Sequence, residues 1–141
     1  MPARDTFMLG EQISERKGKV ISQRVVSTEG PVIETTVSTI GSFKGMPVKG
    51  TVTFVSRPTS VAGVLYGEGK AVIMTEESEM ATSTAEGFGR LSPSGSVKWR
   101  GAHFILTSST GKLAFLNTVV GVFEAEIDAE GNVTEKIWEW K

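Results

Sequence analysis

The sequence predicts an all-β domain, a closed antiparallel β-barrel of about eight strands with little or no helix. Three observations carry that expectation. Runs of β-branched and aromatic residues alternate with turn signals along most of the chain. Apolar residues at the three-to-four spacing of an amphipathic helix are nearly absent. Sixteen Gly against five Pro are scattered singly through strand-like segments rather than pooled in a linker. Isolated Gly in strands marks bulges, bends and close backbone approach, all of which a small closing barrel needs.

Each element is read in turn. Residues 6–17 form a first strand, because Gly10 and the missing apolar stripe argue against a short helix. Residues 19–28 supply Val20, Ile21, Val25 and Val26 as β-branched bulk, and Glu29-Gly30-Pro31 turns the chain. Residues 32–40 are strand-like throughout. Residues 42–49 make an arm loosened by Gly45 and Pro47. In residues 51–57, Val52, Phe54 and Ser56 share one face. Residues 61–75 read as a long strand or a hairpin, interrupted by Gly63, Gly67 and Gly69. Residues 79–91 carry Thr, Ala and Gly, suited to face a cavity or lie close on another backbone. Ser92-Pro93-Ser94-Gly95 is a tight turn. Residues 96–107 follow as a strand, then a turn at 108–111. Residues 112–116 and 119–128 are expected as strands, with a kink at Asn117. A hairpin loop at 128–132 leads into the last strand, 133–140.

The 141 residues are expected to form a single domain spanning 1–141, long enough for a sizeable core. A net charge of -1 gives no electrostatic reason to expect nucleic acid or an anionic membrane as a partner. The chain has no Cys, which excludes disulfides, thiol catalysis and Cys-ligated zinc. No run is apolar or long enough for a signal peptide or a membrane span, so a cytoplasmic location is expected. Asn132-Val133-Thr134 matches a glycosylation sequon and is read as chance in that setting.

The stretch 96–127 is the most apolar and holds the only His. Lys98 and Arg100 belong in water, so the opposite face, with Val97, Trp99, Gly101, His103 and Ile105, is assigned inward. By the same alternation Phe123 points inward beside Val119, Gly121, Ala125 and Ile127. Phe104, Leu106, Leu116, Val120 and Val122 are left outside. An apolar patch of that kind marks an interface, and a homo-oligomer is expected through these five residues. Cover from the N-terminal segment of the same chain is the alternative, and both stay open.

His103 is the candidate general base, with Glu68 or Glu86, each flanked by Gly, as its carboxylate partner. Against this stands an ordinary buried His bonded to backbone or to a hydroxyl, which is favoured. Trp99, Phe123 and Tyr66 are the candidate ligand-binding residues. Glu124, Glu126 and Asp128 share a face but read as a solvated wall rather than a cation site, and Arg16, Lys17, Lys19 and Arg24 as a solvated basic cluster. Gly67-x-Gly69 and Gly87-x-Gly89 lack the third Gly and the helix of a dinucleotide fingerprint. Ser109-Thr110-Gly111-Lys112 lacks the leading Gly of a phosphate loop. Trp138 and Trp140 share a face and are read as packing residues. No metal and no cofactor are expected.

The run Gly87-Phe-Gly-Arg90, Gly95, Arg100-Gly101, Phe104, Ser109-Thr-Gly-Lys-Leu113 and Leu116, completed by Gly121-Val-Phe123 and 128–131, resembles the allene oxide cyclase-like barrel superfamily. It covers residues 87–140 only. The resemblance implies an eight-stranded barrel around a central cavity, often in an oligomer; no set of cyclase catalytic residues carries over. The functional expectation is therefore a barrel binding a small apolar molecule. Two alternatives stand behind it: an isomerase- or cyclase-like enzyme using His103 with a Glu, and an oligomeric interaction protein whose barrel is filled.

Overall fold

The expected barrel closes. The computed structural model describes residues 9–141; the start of the first expected strand, from Thr6, lies outside them. Eight antiparallel strands follow chain order around the barrel: β1 (Gln12–Ser27), β2 (Val32–Phe43), β3 (Met46–Pro58), β4 (Val64–Met74), β5 (Met80–Leu91), β6 (Val97–Leu106), β7 (Val119–Ile127) and β8 (Asn132–Glu139). β1 pairs with β8 to complete the circuit, so no strand in the closed part is left as an edge. The segments 6–17 and 19–28, expected as two strands, are one long β1. Its pairing slips by one residue between Gln12 and Ser14, which lets Ile13 and Ser14 both lie buried.

Alternation sorts the walls as the sequence indicates. In β6, Trp99, His103 and Ile105 are buried while Phe104 and Leu106 are exposed. One end of the barrel is filled by a plug that includes Phe43, Val48, Ile73, Ile105, Leu116 and Ile137. Fully burying side chains of this size contributes about 1.5–3 kcal/mol each, so the plug is the main source of stability.

The segment 112–116 differs from the expected strand. It forms a turn and a single 3-10 turn, Ala114–Leu116, lying across the plugged end. Leu113 and Leu116 are both fully buried there. A strand wall needs one solvent face, and a segment apolar on both faces serves better as a lid. The carboxylate of Glu79 fastens it, accepting bonds from the Ser109 hydroxyl and from the N–H groups of Lys112 and Leu113, at 3.2 and 3.0 Å. Those bonds, the backbone N–H of Leu113 foremost, hold the Glu79 carboxyl below its ordinary range. Leu116 is therefore withdrawn from the expected interface: it is packed inside its own barrel.

Candidate functional site

Above the plug the interior changes character. Arg16 on β1 is 2 % exposed and its guanidinium lies 5.4 Å from the Phe43 ring centroid. One terminal nitrogen, Nη2, donates to Oε1 of Glu135 on β8. The other Glu135 oxygen, Oε2, is 2.8 Å from His103 Nε2, and His103 Nδ1 is 2.6 Å from Ser83 Oγ. A carboxylate only accepts, so Nε2 carries the proton that Glu135 receives. With a neutral ring, Nδ1 then accepts from the Ser83 hydroxyl. The His103 ring also meets Phe123 edge-on at 4.8 Å.

The electrostatics follow from this packing. Burial by itself would raise the Glu135 carboxyl; the Arg16 guanidinium and then His103 outweigh it and hold it at about 2. Arg16, expected in the solvated basic cluster, is instead the counter-charge of an interior ion pair. Strand alternation places it there, on the inward side with Ser14.

A cavity of about 90 Å³ lies against this polar layer, walled by Val37, Phe54, Trp99, Phe123, Ile127 and Val133, with Thr39, His103 and Glu135 at its polar side. Trp99 meets Phe54 edge-on at 5.5 Å. Its indole lies over Gly67 and Gly89, where a Cβ would come within 2.7 and 2.8 Å of the ring. Two of the scattered Gly, Gly67 on β4 and Gly89 on β5, thus have a concrete cause: they clear the space for Trp99.

Three donors in this region have no partner among the described residues: Nε and Nη1 of Arg16 and the hydroxyl of Thr39. Ser14 Oγ is likewise unpartnered. Thr39 Oγ1 and Arg16 Nη1 both approach the inward side of Gly50 on β3, within 2.7 and 3.3 Å of where a Cβ there would sit.

The expected site residues divide cleanly. Trp99, His103 and Phe123 are brought together on the cavity wall. Glu68 and Glu86 also border the cavity, but they are cross-strand neighbours on β4 and β5, both exposed, and their carboxylates belong to the outer face rather than to His103. The parity that sends Gly67, Gly69 and Gly87 inward sends the glutamates outward. Tyr66 shares that outer parity and packs edge-on against Phe88 at 6.1 Å, so it does not line the cavity. The carboxylate beside His103 is Glu135, a partner the sequence reading did not name. Its position was readable, since it shares a face with Val133 and Ile137, both buried. Asp128 shapes its own loop, accepting from the N–H groups of Glu130 and Asn132 at 2.9 Å. Among the described residues no group of three His, Asp or Glu is placed to hold a metal, and no helix is long and apolar enough to cross a membrane.

No family model and no curated protein matches this sequence. The fold is similar to those of several solved structures, among them two proteins of unknown function. One is a conserved protein of unknown function from Rhodopseudomonas palustris, with a TM-score of 0.73 and 10 % identity over 99 % of both chains. The other is a protein of unknown function from Clostridium acetobutylicum, with a TM-score of 0.70 and 15 % identity, over 93 % of this chain and 98 % of that one. At these identities the likeness is one of barrel architecture.

Proposed function

We propose that the barrel binds a small, mainly apolar molecule in the cavity beside Trp99, Phe123 and His103. The observation that carries this reading is the change of filling along one barrel: a tight apolar plug at one end, then a void whose wall is largely aliphatic and aromatic. The volume, about 90 Å³, limits the enclosed part of the ligand. An apolar cavity of about 150 Å³ holds benzene, so by that scale the enclosed part is about four heavy atoms, with the rest of a larger molecule projecting from it.

The geometry gives less support to an enzyme built on His103. Both ring nitrogens are occupied, one by Glu135 and one by Ser83, so neither is left to take a substrate proton. The resemblance of residues 87–140 to allene oxide cyclase-like barrels accords with a cavity-bearing barrel, and no cyclase step is proposed.

The test is a titration followed by NMR at the methyl groups of Ala85 and Ala125, which line the cavity. Methylenecyclopentane should shift those methyls, and Ala125→Leu, which fills the void, should abolish the response. Silence at both methyls for every small apolar probe would sink the reading.

A second copy of the chain is the proposed partner of the outer face. Phe104 and Leu106 are 51 % and 56 % exposed. Val120 lies opposite Phe104, and Val122 follows on the same face. Beyond Leu106, exposed Met80 and Met74 extend the patch across β5 and β4. Leu106→Glu should lower the native mass; a monomeric parent protein would refute the pairing.

A further inference from the structure

The polar layer beside the cavity has more donors than acceptors. Nη2 of Arg16 is used by Glu135, while Nη1, Nε and the Thr39 hydroxyl find no acceptor among the described residues. Arg16 and Thr39 are 2 % and 4 % exposed, so bulk water does not serve them. Two of these donors converge. Arg16 Nη1 and Thr39 Oγ1 both lie against Gly50, within 3.3 and 2.7 Å of where a Cβ there would sit, so no side chain of that residue stands between them. Thr39 also lines the apolar cavity, on the side of Glu135 and His103. Buried donors without partners carry a cost of about 1–3 kcal/mol each. A ligand that brings an acceptor to this spot removes the cost, and one that is wholly apolar does not.

We infer that the ligand carries a neutral carbonyl oxygen, received by Arg16 Nη1 and Thr39 Oγ1, with its apolar body directed toward Trp99 and Phe123. The inference rests on the ligand-binding reading above and specifies the chemistry of that same site. The charge count selects a carbonyl over a carboxylate. The Arg16 guanidinium is already matched by one ionised carboxylate, Glu135. An anionic ligand would place a second buried negative charge on the same guanidinium, where the desolvation of each ion is costly. A carbonyl accepts two hydrogen bonds with its two lone pairs and brings no net charge. An alcohol would accept as well, but its own O–H would add another donor to a site that already has a surplus.

Three probes of similar size separate the alternatives: cyclopentanone, methylenecyclopentane, in which a CH2 group replaces the oxygen, and cyclobutanecarboxylate. Each is titrated into the full chain and followed at the Ala85 and Ala125 methyls. Cyclopentanone is expected to bind at least about tenfold more tightly than methylenecyclopentane, as one charge-assisted hydrogen bond supplies. Cyclobutanecarboxylate should be the weakest. Thr39→Val keeps the side-chain size and removes the hydroxyl, and should cut the ratio of ketone to methylenecyclopentane affinity several-fold. Gly50→Ala places a methyl group within 2.7 Å of Thr39 Oγ1, forces the hydroxyl aside and should do the same. Equal binding of ketone and alkene, tighter binding of the carboxylate, or a preference untouched by both substitutions would overturn the carbonyl assignment while the cavity reading stands. If none of the three binds, the cavity reading fails and the assignment fails with it.

Discussion

Removing the charge of Glu135 tests the interior ion pair most directly. Glu135→Gln keeps the side-chain shape and one carbonyl acceptor, but leaves the Arg16 guanidinium buried without a counter-charge. The magnitude follows from the carboxyl itself. A glutamate ordinarily titrates near 4.5, and Glu135 is held at about 2. That gap corresponds to about 3 kcal/mol of stabilisation at neutral pH, since each factor of ten is about 1.4 kcal/mol. Breaking a buried pair from one side costs about 3–5 kcal/mol in general, so the two routes agree. The side chain is only 12 % exposed, so solvent screening takes little from the figure.

The pH dependence has a definite sign. The folded value is depressed, so the stabilisation is complete above about 4.5 and falls away as pH drops toward 2. Wild type and Glu135→Gln should therefore differ by about 3 kcal/mol in urea unfolding at pH 7, or by about 10 °C in Tm for a domain of this size. The difference should shrink steadily between pH 4.5 and 2.5. A double variant, Arg16→Met with Glu135→Leu, should recover most of the loss at pH 7, because it removes both charges together. A difference under about 1 kcal/mol at pH 7, or one that does not change between pH 6 and 2.5, would refute the assignment of Glu135 as the ionised partner of Arg16.

Three further outcomes are expected. Thr39→Val should raise stability by about 1 kcal/mol in urea unfolding, because it deletes a buried hydroxyl that has no partner among the described residues. Gly89→Ala should destabilise by about 1–3 kcal/mol and alter the near-UV circular dichroism, since its methyl would come within 2.8 Å of the Trp99 ring; an unchanged spectrum would remove Trp99 from that position. Glu68→Gln and Glu86→Gln should leave probe binding at the Ala85 and Ala125 methyls within twofold of wild type, as both side chains are exposed on the outer wall.

Much of the barrel was legible because strand alternation is a local property. Lys98 and Arg100 fix the outer face of β6, and this alone sends Trp99, His103 and Ile105 inward. The same parity applied to β8 points Glu135 inward, and applied to β4 points Glu68 outward. The assignment of Glu68 and Glu86 as partners of His103 set that parity aside in favour of flanking Gly, and Gly on an inward face says nothing about the residue beside it. Residues 112–116 failed for a different reason. Two apolar faces are compatible with a wall between two cores or with a lid, and only the tertiary position of Glu79 decides for the lid. Arg16 was legible only in part: alternation puts it on the side of Ser14, but its counter-charge is not local. It lies among charged neighbours that are exposed, and its burial depends on a Glu that is 119 residues away in the chain and adjacent only once β1 closes on β8.

The placement of the polar layer bears on why the barrel has it. An interior ion pair is seldom the most stable way to fill a core, since apolar residues of equal volume serve as well or better. Here the apolar solution is already in use at the other end of the same barrel, with Phe43, Ile73 and Ile137 fully packed. The layer of Arg16, Glu135, His103 and Ser83 begins where that plug ends, and its unpartnered donors concentrate on the side of Thr39 and Gly50. Glu135 anchors one arm of the guanidinium, and the Phe43 ring, 5.4 Å away, packs beside it. A fixed fork with one free arm is pre-organised to receive an oxygen with little loss of side-chain entropy. The stability given up in the polar layer is thereby concentrated at the one place in the barrel where an incoming acceptor would restore it.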